Sequence, residues 1–124
     1  MANTIVWADI PVLDMDRARA FYGAVLQAEV VLVPGMEDVA LLPGEDGAVS
    51  ADLAKGENMK PGTDGCTIYL DSGGDPEGMI ARAVAAGGTV AMPITDMGEM
   101  VGFIGFFIDS EGNKIGVHAP PRQI

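Results

Sequence analysis

The chain has 124 residues, enough for one domain with a real core and too few for two independent folds. Eighteen Asp and Glu against seven Lys and Arg leave a net charge of −11, spread from Asp9 to Glu111, and exclude the clustered cations that nucleic acid or an anionic membrane requires. A hydrophobic fraction of 48% excludes disorder, and the single Cys66 excludes an internal disulfide; with a start that lacks a basic-then-apolar leader, the expectation is a soluble cytoplasmic protein.

Thr4 to Val12 is a β-branched and apolar run and predicts a strand, with Ile5, Trp7 and Asp9 on one face and Val6, Ala8 and Ile10 on the other. Asp14 or Asp16 can cap the helix that follows, whose Ala18, Phe21, Tyr22, Val25 and Leu26 recur at the spacing of one buried face. Glu29–Val33, Val39–Leu42 and Val49–Leu53 are short apolar runs separated by turn chemistry at Pro34-Gly35 and Pro43-Gly44-Glu45-Asp46-Gly47, and read as consecutive antiparallel strands. Lys55 to Gly65 is polar and glycine-containing, the natural linker.

After the linker the order begins again. Cys66–Asp71 predicts a strand and about Asp75–Ala86 a helix, with Asp75 as cap, Pro76 as first helical residue and Gly87-Gly88 as the stop. Further strands are predicted at Thr89–Met92, Val101–Ile108 and Lys114–His118. The strands after each helix both end in proline, Pro34 and Pro93, and that displacement of 59 residues lays Trp7 on Cys66, Phe21 on Ile80 and Val25 on Val84. The expected fold class is α+β: two βαβββ modules, about 1–58 and 62–120, in one domain.

The stretch from Val12 to Tyr22, V-x-D-x-x-R-A-x-x-F-Y, together with D-x-x-G-N-x-I from Asp109 to Ile115, resembles the vicinal oxygen chelate superfamily of glyoxalase I, bleomycin-resistance proteins and extradiol dioxygenases. The resemblance covers nearly the whole chain. It implies strands curled into a mixed-sheet cup, commonly completed in a homodimer, with a small-molecule cavity inside. In the family's metal enzymes the first and last strand of each module supply His or Glu ligands to a divalent ion. Carried over by position, the first-strand ligands fall at Trp7 and at Cys66 or Thr67, and the closing-strand carboxylates near Ser50 and at Gly116. Trp, Ser and Gly side chains are not ordinary metal ligands, so no metal and no cofactor are expected, and metal-dependent isomerase or dioxygenase chemistry loses its basis.

His118 is the only histidine and shares a strand face with Gly116; it reads either as a cavity-rim contact or as a solvent-facing strand end. Cys66 reads as a small buried strand residue, or as a nucleophile if its surroundings lower its pKa. Trp7 and Asp9, with either Cys66, Ile68 and Leu70 or Thr67, Tyr69 and Asp71 of the second module, offer an apolar patch with a few orienting polar groups; the alternative is that Trp7 plugs the cup. Asp14, Asp16 and Arg17 have a structural reading as caps. Phe103 to Ile108 places an aromatic on both strand faces, with Gly102 and Gly105 leaving space nearby, and Asp109 to Asn113 reads as a hairpin turn. Glu99 is a candidate wall or lid carboxylate in a methionine-rich segment.

The expected ligand-contacting set is therefore Trp7, Asp9, Cys66, Tyr69, Glu99, Phe103 and His118, with no residue assigned a catalytic role. The function this suggests is that of a bleomycin-resistance-like protein binding a small organic molecule without metal, with itself as a homodimeric partner and neither nucleic acid nor membrane. Two alternatives stay open. One is a glyoxalase-like lyase or isomerase using Asp9, Asp71, Glu99 and His118; the other is a regulatory or structural domain with a filled cup.

Overall fold

The computed structural model describes residues 3–122; the leader reading involves Met1 and Ala2, which lie outside them. β1 (Trp7–Pro11) leads into α1 (Met15–Leu26), followed by β2 (Val31–Val33), β3 (Met36–Leu41) and β4 (Ser50–Ala54). Residues 55–68 carry neither helix nor strand. β5 (Tyr69–Asp71), α2 (Pro76–Ala85), β6 (Thr89–Asp96), β7 (Phe103–Ile108) and β8 (Lys114–Ala119) then repeat the order. Each module forms its own four-stranded sheet, β1-β4-β3-β2 and β5-β8-β7-β6, in which the first strand runs parallel to the last and the other pairs are antiparallel.

The helices start where the sequence places their caps. The Asp14 carboxylate accepts the Arg17 backbone N–H at 3.0 Å, and Asp75 accepts that of Gly78 at 3.0 Å with Pro76 as the first helical residue. Strand alternation sends Ile10, Ala40 and Leu53 of one sheet and Leu70, Phe107 and Val117 of the other into a single core beneath the two helices. Phe21 joins the modules: its ring lies 5.1 Å from that of Tyr22 and 5.8 Å from that of Phe107. The helices also touch directly, and the Arg82 guanidinium of α2 donates to the Val25 carbonyl in the last turn of α1 at 3.0 Å.

Several sequence expectations change. β1 is shorter than Thr4–Val12 because β4, its only strand partner, meets it first at the Trp7–Ser50 pair; Ile5 and Val6 are left exposed. β5 is likewise confined to Tyr69–Asp71, and Cys66 is exposed rather than a buried strand residue. Pro93 does not end its strand. β6 lies at the sheet edge, where a missing N–H is tolerated, and runs through the proline with one register shift before it and one across it. Gly102 and Gly105 mark close packing and not open space: a Cβ at Gly102 would stand 2.3 Å from the Ala119 carbonyl oxygen, and one at Gly105 would stand 2.7 Å from Ile94 Cδ1 and 3.0 Å from the Met92 carbonyl oxygen.

The two motif segments meet in one hydrogen-bonded knot. Glu111, whose side chain is fully buried, accepts the backbone N–H groups of Leu13 and Asp14 at 2.8 and 2.7 Å and the Arg17 guanidinium at 2.6 Å. Burial alone would raise its pKa, but Arg17, the two amides and the Ser110 hydroxyl outweigh that and hold it down at about 2. Asp109 accepts from the Tyr22 hydroxyl at 2.5 Å and from the Glu111 and Asn113 amides, while Asn113 Nδ2 donates to the Pro11 carbonyl at 2.8 Å. The β7–β8 turn thus fastens the end of β1 to the start of α1, which fixes the aim of β1 and of Trp7 and Asp9 on it.

Candidate functional site

The outer strands β1 and β5 border one cleft of about 790 Å³, to which Trp7, Asp9, Ser50, Cys66, Tyr69 and Asp71 all contribute. Trp7, Asp9, Ser50 and Asp52 share the face of the first sheet opposite α1, because the parallel register sets Trp7 against Ser50 and Asp9 against Asp52 while Ile10 and Leu53 turn inward. In the second sheet Tyr69 stands against Gly116 and Asp71 against His118. Both parities reach the cleft, Cys66, Ile68 and Leu70 as well as Thr67, Tyr69 and Asp71, but Leu70 is buried and Ile68 packs against the core, so Tyr69 and Asp71 are the exposed side chains of β5. Ile10 and Leu70 play the same inward role, so Trp7 corresponds to Thr67, one position beyond the 59-residue displacement.

Trp7 is 43% exposed and not a plug: its indole N–H donates to Asp52 Oδ2 at 2.9 Å, which fixes the ring over the cleft wall. Asp52 is buried, and its Oδ1 has no hydrogen-bond partner among the described residues. Burial raises its pKa and the carboxyl of Asp9 adds to the rise, against the lowering effect of the indole N–H. Tyr69 lies over Gly116, where a Cβ would fall 2.3 Å from its ring, and 5.7 Å from the Phe106 ring. The wall on that side is therefore aromatic over glycine, and only glycine lets the ring lie so close.

Of the seven residues expected to contact ligand, Trp7, Asp9, Cys66 and Tyr69 are brought together in this cleft. The other three are not. Glu99 is exposed in the turn between β6 and β7, and Phe103 lies on the strand face of Phe107, covered by the Arg122 guanidinium at 4.3 Å. His118 keeps the Gly116 face, but its Nε2 is 2.7 Å from the Val101 carbonyl oxygen, which can only accept, so the ring is engaged as a donor to that turn. Asp52 is the residue that the sequence reading missed. Its signal was parity with Ser50, which becomes meaningful only once β4 is registered on β1.

The donor set does not fit the metal of the resemblance. The positions that the resemblance implies fall at Trp7, at Cys66 or Thr67, near Ser50 and at Gly116, the last covered by Tyr69, and among the described residues no three His, Cys, Asp or Glu side chains are placed to share an ion.

The model of the Glyoxalase/Bleomycin resistance protein/Dioxygenase superfamily matches residues 4–117. The chain belongs to this superfamily. The glyoxalase/bleomycin resistance protein from Albidiferax ferrireducens T118 is similar in fold, with a TM-score of 0.72 at 21% identity over 93% of this chain and 98% of that one. So is TnmS3, an antibiotic binding protein from Streptomyces sp. CB03234, with a TM-score of 0.63 at 23% identity over 97% of this chain and 98% of that one. A glyoxalase-related enzyme from Fulvimarina pelagi superposes with a TM-score of 0.71 at 14% identity over 94% and 87% of the two chains. At these identities the likeness is one of fold. The comparison with curated proteins finds no match. Enzymes and binders thus share this architecture, and the residues in the cleft of this superfamily member must decide between them.

Proposed function

We propose that this superfamily member binds a small organic molecule in the β1–β5 cleft and does so without a metal. The observation that carries the reading is Trp7: at the position of the family's first-strand ligand stands an indole, held by Asp52 and lining, with Tyr69, a mostly apolar cleft. Flat aromatic walls with a few polar groups suit ligand capture by stacking and burial. The antibiotic-binding neighbour supports a binding role on the same fold. The enzyme alternative gains little from the geometry: Glu99 lies in the β6–β7 turn, and His118, although paired with Asp71, is outside the cleft lining with its Nε2 engaged by the Val101 carbonyl.

Trp7 is the only tryptophan, so its emission reports on the cleft without ambiguity. An aromatic ligand that enters the cleft quenches or shifts that emission, and Trp7→Ala lowers its affinity at least tenfold, equivalent to about 1.4 kcal/mol, while the protein stays folded. Elemental analysis of the purified protein is expected to give far less than one equivalent of zinc, nickel, manganese or iron. Near-equimolar metal lost on mutation of Asp9 or Asp52 would overturn the metal-free part, and unchanged affinity in Trp7→Ala would overturn the assignment of the cleft.

A further inference from the structure

Asp52 stands where a carboxyl burdens the fold. It is buried, its Oδ1 has no hydrogen-bond partner among the described residues, and its strand neighbours are Leu41 on β3 and a second carboxyl, Asp9, on β1. The ion pairs among the described residues are Arg17 with Glu111 and Arg122 with Glu77, so no cation of the chain offsets the charge. A buried carboxyl satisfied at one oxygen only is less favourable than an apolar side chain in the same place. Among the described residues its one side-chain hydrogen bond is the one that Oδ2 accepts from the Trp7 indole at 2.9 Å, across 45 residues of sequence. Asp52 itself does not line the cleft, whereas Trp7 does.

Resting on the binding role proposed above, we propose that Asp52 is a positioning residue for the ligand: it acts through Trp7, pinning the N–H edge of the indole to the sheet so that the cleft presents a ring already held in place. An exposed indole can turn about both of its side-chain bonds, and ordering it at the moment of binding weakens affinity. A ring held beforehand avoids that loss. The indole has a single donor, and Asp52 engages it, so what Trp7 offers a ligand is the carbon surface of the ring and not a hydrogen bond. That surface selects flat, apolar partners by stacking and burial. Tyr69, the other aromatic side chain of the cleft, is held differently, by close packing over Gly116 and a ring contact with Phe106 at 5.7 Å, and needs no such anchor.

The probe is N-phenyl-1-naphthylamine, neutral and aromatic, read by its own emission, which rises when it leaves water. Asp52→Ala removes the acceptor without placing an atom in the cleft and is expected to weaken binding about fivefold or more, whereas Asp52→Asn, which keeps an acceptor for the N–H, stays within about twofold of wild type. The same bond can be removed from its other end. Because Trp7 is the only tryptophan, replacing tryptophan throughout by 3-benzothienylalanine, in which sulfur stands for the N–H, changes this one ring and keeps its shape. That protein is expected to lose about fivefold as well, and adding Asp52→Ala to it costs about twofold or less, since the interaction is already gone. The isostere decides the matter even if Asp52→Ala fails to fold. Wild-type affinity in the isostere, an equal cost of Asp52→Ala in both backgrounds, or an Asp52→Asn as weak as Asp52→Ala overturns the positioning role and leaves the binding role standing. No binding of the probe to wild type, with Trp7 emission unchanged, overturns both.

Discussion

Asp14, Arg17 and Glu111 carry the most recognisable letters of the chain, and their work is structural. Arg17 and the two amides at the start of α1 converge on one buried carboxylate, so that removing its charge leaves three donors facing a weaker acceptor. Glu111→Gln is expected to destabilise the fold by about 2–4 kcal/mol, measured by urea unfolding near neutral pH. Because the folded pKa of Glu111 is depressed to about 2, its contribution is present above the ordinary carboxyl value of 4.5 and is lost as pH falls from there toward 2. The gap between wild type and variant should accordingly close over that interval. Asp52 has the opposite sign. Burial and Asp9 raise its pKa, so the folded state disfavours its ionised form and wild type is penalised at neutral pH. Asp52→Asn, which keeps an acceptor for the indole, is expected to be at least as stable as wild type at pH 7 and to lose that advantage as pH falls toward 3.8 and Asp52 protonates. A variant less stable at pH 7 than in mild acid relative to wild type would contradict the raised pKa.

At the scale of the element, the helices were the most legible parts and the edges the least. Both caps, the proline at the start of α2 and the buried face of α1 follow from local chemistry, since a helix satisfies its own backbone within each turn. A strand end depends on its partner. Thr4–Val6 has strand composition and no strand opposite it, whereas β6 runs on through Pro93 because the unpaired edge spares the missing N–H. Gly102 shows the same dependence: its φ of +92° and the carbonyl of Ala119 close behind it exclude a side chain for reasons that lie seventeen residues away in sequence. Gly102→Ala is expected to cost about 2–3 kcal/mol, as backbone cannot yield to the new methyl as a flexible side chain could. Thermal unfolding checks this, and a loss below 0.5 kcal/mol, the usual size of a neutral surface change, would show that the turn relaxes.

For the whole molecule, the faces opposite the helices remain open. Trp7, Leu41 and Val31 on one sheet and Tyr69 on the other are each at least 40% exposed. Exposed apolar side chains on the helix-free faces of both sheets are suited to a second copy of the chain facing the first. Light scattering at micromolar concentration is expected to give twice the chain mass of 12.8 kDa. A strictly monomeric mass would leave the cleft to be closed by its ligand alone. Among the described residues no helix is long and apolar enough to cross a membrane.

The sequence by itself determined the order of elements, the doubling of the βαβββ module, the caps and the inward faces, because each of these rests on periodicity or on hydrogen bonds made within a few residues. It also placed Trp7 and Asp9 on one face, which alternation alone dictates. Only the tertiary structure decided that Asp52 lies behind them, that Tyr69 is the exposed and Leu70 the buried side chain of β5, and that Glu99, Phe103 and His118 stand outside the cleft. The register between β1 and β4 is set by the packing of Ile10 and Leu53 under α1 and by the Glu111 knot, contacts that span from 43 to 98 residues of chain. A shift of one residue there would exchange the two faces, and no local pattern records which register the packed core selects.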